Sequence, residues 1–218
     1  IVVDNGRIPS DLKQRISGFE KVFFLRSEKN LGFAGGNNLG LPHCKGEFTF
    51  FINNDTEVQP GLIEPLLYVL RNDPLLGMLS PKVLFYQDKN LIQYAGFTPM
   101  NWITVSSKGV GAFECDEGQY DGIYKTEHAH GAAMIVPRKV IDQVGPMYND
   151  YFLYYEEFDW AERIKKAGYR IVYCGKSAVY HKESVSTGQN SPLKTYYLTR
   201  NRLLLARRNC PFYITIFT

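Results

Sequence analysis

Short apolar runs alternate with amphipathic stretches along the first half of the chain. Residues 1–4 (IVVD) and 21–25 (KVFFL) suit buried strands, with Asn5-Gly6 as a turn after the first and a short helix at 10–17 between them. The Gly/Asn-rich segment 30–40 (NLGFAGGNNLG) leads into a helical turn. A third strand, 48–52 (FTFFI), runs straight into Asn53, Asn54 and Asp55. Leu62, Ile63, Leu66, Leu67 and Leu70 recur at helical spacing behind Pro60, and 78–85 is a fourth strand. From 86 to 126 the pattern weakens into loops with short strands. It returns with a strand at 132–136 and a helix at 138–144. The stretch 155–168 reads as a helix, acids first and lysines last, with Gly168 at its C-cap. Strands at 170–174 and 178–180 follow. Ser191 and Pro192 then start a last helix reaching about Asn209.

Strands alternating with helices predict an α/β fold with a mainly parallel sheet covered on both faces. Ligands of such sheets bind at the carboxyl ends of strands. Asp4 and Asn53–Asp55 sit at two such ends.

The 218 residues suit one large domain, or one with an appendage. A net charge of +3 argues against a general polyanion or nucleic-acid binder, although Lys194, Arg200, Arg202, Arg207 and Arg208 crowd the C-terminal end. Four scattered cysteines without a CxxC pair read as reduced thiols of a cytosolic protein. The apolar end, 210–218, is far too short to span a membrane. The chain starts directly in a strand and is read as a fragment.

Four stretches could carry chemistry. INNDTEV puts a carboxylate and two amides at a strand mouth, hard oxygen ligands of the kind Mg2+ or Mn2+ prefers, or simply a turn. NLGFAGGNNLG allows close backbone approach to phosphate or ribose, but it is neither a dinucleotide fingerprint nor a P-loop. In YYEEFDWAERIKKAG, Glu156, Glu157 and Asp159 cluster at a helix start, where the dipole favours ionised acids and hence a general base. Glu156 and Asp159 share a face and Glu157 points elsewhere. His181 closes a short apolar strand. His128 and His130 lie on one side of another segment, as pocket or structural residues.

Taken in order, VVDNG, NLGFAGGNN, FINNDTEV, GAAMIVPRKVIDQVG, YFLYYEEFDWAERIKKAGYRIVY, AVYHKES and YYLTRNRLLLARR resemble the family 2 glycosyltransferases, most closely the rhamnosyltransferase-like branch. The resemblance spans nearly the whole chain. It implies a GT-A fold, Rossmann-like, whose first strand would precede VVDNG and is missing here. It divides the chain into a nucleotide-binding half (1–85), an acceptor-binding half (86–190) and a basic C-terminal helix and tail (191–218). It implies inverting transfer of a sugar from a nucleotide-diphosphate donor, dTDP-rhamnose or a UDP-sugar, to a glycan or polyprenyl-linked acceptor.

By the same resemblance, Asp4 contacts the base, and Asn5, Asn30, Gly32, Asn37, Asn38 and Asn54 lie beside the nucleotide. Asn53–Asp55 falls on the DxD motif, with Asp55 binding Mg2+ or Mn2+ and His181 completing the metal site. Glu157 falls on the catalytic base, with Glu156 or Asp159 taking its place if the helix is rotated. Two departures stand out: Asn53 replaces the first DxD acid, and Glu157 is one methylene longer than the usual aspartate. The setting implied is cytoplasmic, at the inner face of the cell membrane if the basic helix touches lipid. The alternatives are a catalytically silent sugar-nucleotide or glycan-binding domain, and a nucleotidyltransferase of related fold.

Overall fold

The computed structural model describes residues 1–6, 8, 10–182 and 191–210. The apolar end at 211–218 and the end of the AVYHKES motif lie outside them. In chain order the elements are β1 (Val2–Asp4), α1 (Leu12–Arg15), β2 (Phe24–Arg26), α2 (Gly32–Gly40), β3 (Phe48–Ile52), β4 (Thr56–Val58), α3 (Ile63–Asn72) and β5 (Leu76–Phe85). There follow β6 (Ile92–Tyr94), β7 (Ile123–Lys125), β8 (Ala133–Pro137), α4 (Arg138–Val144), α5 (Glu156–Lys166), β9 (Arg170–His181) and α6 (Pro192–Asn209).

β1 and β2 pair in parallel as a separate two-stranded sheet. The large sheet runs β3-β8-β5-β9-β4, with β6 beside β5 and β7 beside β9. The α/β class holds, with a mixed sheet flanked by helices. The parallel majority does not. Among the described residues only β5–β9 is parallel in the large sheet, because β8 runs antiparallel between β3 and β5 and the short strands β4, β6 and β7 turn back on their neighbours.

Strand alternation divides the core. Leu79, Ile135 and Val179 face α3, whose Val69 and Leu70 lie one helical turn after Leu66. Met78, Met134 and Val136 face the other way, onto Val140 and Ile141 of α4 and Trp160, Ala161 and Ile164 of α5. α6 docks through Leu205 and Ala206 onto Met100, Val105 and Tyr151. Leu204 packs partly against the same cluster, while Leu203 is exposed.

Candidate active site

Several strand ends meet at one edge of the large sheet. β3 ends at Ile52, opposite Ala133 at the start of β8, and the parallel β5 and β9 end side by side at Phe85 and His181. The turn after β3 then folds back so that Thr56 pairs with His181, and Lys182 N donates to the Asp55 carbonyl at 3.0 Å. That pairing brings Asp55 to His181.

His181 Nδ1 lies 3.0 Å from Gln93 Oε1. An amide oxygen only accepts, so Nδ1 carries the proton of the neutral ring and Nε2 keeps its lone pair. Nε2 is 3.3 Å from Asp55 Oδ1, a buried oxygen without a hydrogen bond. Two acceptors thus face each other, an arrangement that a proton on the ring or a shared cation satisfies. With a proton on Nε2, the His181 ring donates to the Asp55 carboxyl and holds it below the usual carboxylate range, against burial, which pushes it up. Among the described residues no three His, Cys, Asp or Glu side chains converge as a metal cage. One carboxylate oxygen and one imidazole nitrogen still fit a divalent cation that takes its remaining ligands from phosphate and water. Asn53 contributes through its backbone: its N–H donates to the Ala132 carbonyl and its carbonyl accepts from Thr56. Asn54 is exposed at the tip of the turn.

The loop before β8, HAHGA at 128–132, borders this cluster. The His130 ring is 5.7 Å from that of His181, and its Nδ1 accepts from Ala132 N at 3.1 Å. Burial pushes His130 down to about 3, with the neighbouring His181 acting in the same direction. At the next residue, a Cβ on Gly131 would lie 3.5 Å from Glu157 Oε1 and 3.6 Å from Phe33 Cζ. One loop therefore touches His181 with one residue and Glu157 with the next, and Asp55 and Glu157 flank it. His128 is packing: its ring lies between Phe97 and Phe158, with centroids at 4.0 and 3.6 Å.

α5 runs back along the sheet into β9, which ends at the site edge, so its N-terminus also faces that edge. Its three acids separate there. Asp159 accepts from Arg163 Nε at 3.1 Å, Arg208 Nε at 2.8 Å, Asn209 Nδ2 at 3.0 Å and the Tyr151 hydroxyl at 3.3 Å. Both its oxygens are taken, and it ties α6 to α5. Glu156 is 3% exposed, with Oε2 unpaired. Glu157 lines a cavity of about 250 Å³ with Phe97, Ser106, Tyr154, Phe158 and Leu198. The helix dipole does not decide the charge of these two glutamates. Burial raises Glu157 to about 7, and burial together with the Glu157 charge raises Glu156 well above the ordinary range.

Apart from Asn54, the residues expected beside a nucleotide fall into two groups. Asp4, Asn5, Asn30 and Gly32 cluster between the end of β1 and the start of α2. Asp4 accepts from Gly6 N and Ser10 Oγ and pairs with Arg26 at 2.6 Å. Asn5 accepts from Leu31 N and donates to the Gly32 carbonyl, both at 2.8 Å, while Asn30 Oδ1 accepts from Gly32 N. These side chains shape the loop. Asn37 bonds back to the Phe33 carbonyl, and Asn38 reaches the Met147 carbonyl and Asn149, tying α2 to the segment before α5. Phe33 joins this region to the rest by meeting Gly131. Gln93 was not legible in the sequence as a site residue, because it lies where the strand pattern is weak.

Residues 1–145 match Glycosyl transferase family 2. The fold is that of GT-A glycosyltransferases. The chain aligns with GalNAc-T7 bound to UDP, GalNAc and Mn2+ at a TM-score of 0.64 and 16% identity, covering 82% of this chain and 36% of that one. It aligns with the mannosyltransferase PcManGT of Pyrobaculum calidifontis, bound to GDP-Man and Mn2+, at 0.61 and 15%, covering 96% and 55%. Among curated proteins it is similar to the low-salt glycan biosynthesis hexosyltransferase Agl10 of Haloferax volcanii (26% identity; 94% of this chain, 66% of the relative). It is also similar to the dTDP-rhamnosyl transferase RfbF of Shigella flexneri (25%; 96% and 71%). The chain belongs to glycosyl transferase family 2. It spans 66% of the Haloferax relative and between 36% and 55% of the two solved chains.

Proposed function

We propose that this chain carries the transfer site of an enzyme that moves a sugar, with inversion, from a nucleoside-diphosphate donor to a hydroxyl of a glycan or polyprenyl-linked acceptor. The observation that carries the reading is the loop at 128–132, with the Asp55–His181 pair against one residue and the Glu157 carboxyl against the next. Residues 1–85 would bind the nucleotide and 86–190 the acceptor.

Asp55 and His181 would hold Mg2+ or Mn2+, with Gln93 fixing the ring tautomer. When bound, the cation supplies positive charge for the diphosphate leaving group. Glu157 takes the proton of the acceptor hydroxyl as that oxygen bonds to the anomeric carbon. The bond from that carbon to phosphate breaks, and its electron pair leaves with the diphosphate. A carboxyl raised to about 7 is well matched to general base work near neutral pH. The aromatic walls beside Glu157 suit the apolar face of an acceptor sugar. The name of the Shigella relative supports dTDP-rhamnose as donor. The name of the N-acetylglucosaminyl-diphospho-decaprenol L-rhamnosyltransferase of Mycobacterium tuberculosis, 24% identical, supports a polyprenyl-linked acceptor.

No helix among the described residues is long and apolar enough to cross a membrane. We place the enzyme at the cytoplasmic membrane face, with the exposed Arg202, Leu203 and Arg207 of α6 toward lipid. The test is a panel of nucleoside-diphosphate sugars incubated with and without Mn2+ or Mg2+, read as nucleoside-diphosphate release. Cation-dependent release from one donor class, lost in Glu157→Gln, supports transfer. Donor binding with no release, in the presence of polyprenyl-diphosphate sugars, would favour the silent binding domain.

A further inference from the structure

α6 holds the turn before the site through a buried side chain. Asn201 is 0% exposed, and its Nδ2 lies 2.8, 2.7 and 2.9 Å from the carbonyl oxygens of Tyr151, Leu153 and Tyr154. An amide nitrogen carries two hydrogens, so the three carbonyls share them. Asn201 Oδ1 in turn accepts from Arg200 Nη1 at 3.1 Å, and Arg200 Nη2 donates to the Asp150 carbonyl at 2.8 Å. The Phe152 ring stacks on Tyr197 of the same helix at 5.0 Å and 22°. From the opposite side, Phe33 N donates to the Phe152 carbonyl at 2.6 Å.

The turn held in this way is strained. Phe152, Tyr154 and Tyr155 have φ of 62°, 69° and 72°. Left-handed backbone costs a residue with a side chain about 1–2 kcal/mol, and here three aromatic residues adopt it within four positions. Such a turn persists only if its surroundings hold it. Tyr155 caps α5, and Glu157 follows two residues later in the first turn.

We propose that Asn201 is a positioning residue: by holding the carbonyls of the 151–155 turn, it sets where the Glu157 carboxyl points in the cleft. The inference rests on Glu157 being the base. It is separable from the anchoring of α6, because the contacts of Arg208 and Asn209 with Asp159 hold that helix independently.

Asn201→Leu keeps roughly the volume and removes the donor. The readout is the titration of Glu157 by carbon-13 NMR of labelled glutamate, with its resonance assigned from Glu157→Gln. Among the described residues, the ionisable groups around it are Glu156 on the same helix and the Tyr154 and Tyr155 hydroxyls, with Arg202 of α6 beyond the Tyr155 hydroxyl, and none of them is substituted. With the turn relaxed and water admitted, the Glu157 midpoint should fall by about one pH unit or more, while far-UV circular dichroism stays native. Donor turnover should fall about tenfold or more, with donor KM within about twofold. An unchanged midpoint in a folded variant overturns the inference. If Asn201→Leu does not fold, Tyr197→Leu removes the ring stack instead and should shift the midpoint in the same direction by less; no shift there overturns the inference too. A shifted midpoint in a protein without transferase activity would keep the positioning and sink the transfer reading, and an unchanged midpoint in an active enzyme would do the reverse.

Discussion

Replacing Glu157 by Gln should stabilise this protein at high pH while removing its activity. A glutamate raised from an ordinary 4.5 to about 7 binds its proton more tightly folded than unfolded. The sign follows directly. Below pH 4.5 both states hold the proton and there is no penalty. Between 4.5 and 7 the penalty grows, and above 7 it is complete. At about 1.4 kcal/mol per pH unit, the folded state loses about 3 kcal/mol from acid to alkaline conditions as this carboxyl, beside Glu156, ionises. The glutamine side chain cannot ionise, so the variant's fold escapes that loss. The substitution also relieves Glu156, which the Glu157 charge pushes upward. The amide has its own packing cost, but that cost does not depend on pH and cancels in the comparison. Urea denaturation of wild type and variant at pH 5 and pH 9 measures the difference. The variant should gain about 2–3 kcal/mol relative to wild type between the two conditions. Parallel pH dependence in the two proteins would refute the weakly solvated Glu157 carboxyl that suits it to general base work.

Two further outcomes follow from neighbouring contacts. Burial pushes Asp159 up, but Arg208, Asn209 and Arg163 together hold it below the usual range. Its stabilisation is therefore complete above the ordinary aspartate value and disappears as pH falls through the lower folded one. Asp159→Asn should lower stability at neutral pH by about 2 kcal/mol, reduced from the buried-pair range because Arg208 is partly exposed, and the gap to wild type should close in strong acid. Gly32 has φ +72°, and a Cβ there would lie 2.1 Å from the Phe152 carbonyl oxygen. Gly32→Ala should cost about 2 kcal/mol or more in thermal unfolding, and it should depress turnover because the clash displaces the turn before Glu157.

Much of this architecture is written locally. Leu62, Leu66 and Leu70 mark α3 by spacing alone, and Ser191 accepts from Lys194 N as an N-cap should. What escaped local reading is tertiary. β4 is three residues whose pairing comes entirely from β9, and β9 continues through 175–177 where glycine and polar residues suggest a break. The order of strands along the chain suggested a parallel sheet because it does not reveal that β8 inserts between β3 and β5. In the candidate site, the strand-mouth acid, the closing histidine and the acidic helix start could all be picked out from the sequence. The raised pKa of Glu156 and Glu157 was not, because burial there outweighs a dipole effect of about 0.3–1 kcal/mol. Gln93 and Asn201 carry no motif. Each matters only because folding brings it to His181 or to the turn before α5.

The central claim is a cation site at Asp55 and His181 that works beside, and separately from, the Glu157 carboxyl. Calorimetric titration of UDP and dTDP, each with Mn2+, into wild type, Asp55→Ala and Glu157→Gln tests it most directly. Binding should require the cation, weaken about tenfold or more in Asp55→Ala, and persist in Glu157→Gln. Equally tight binding in Asp55→Ala, or binding indifferent to the cation, would contradict it.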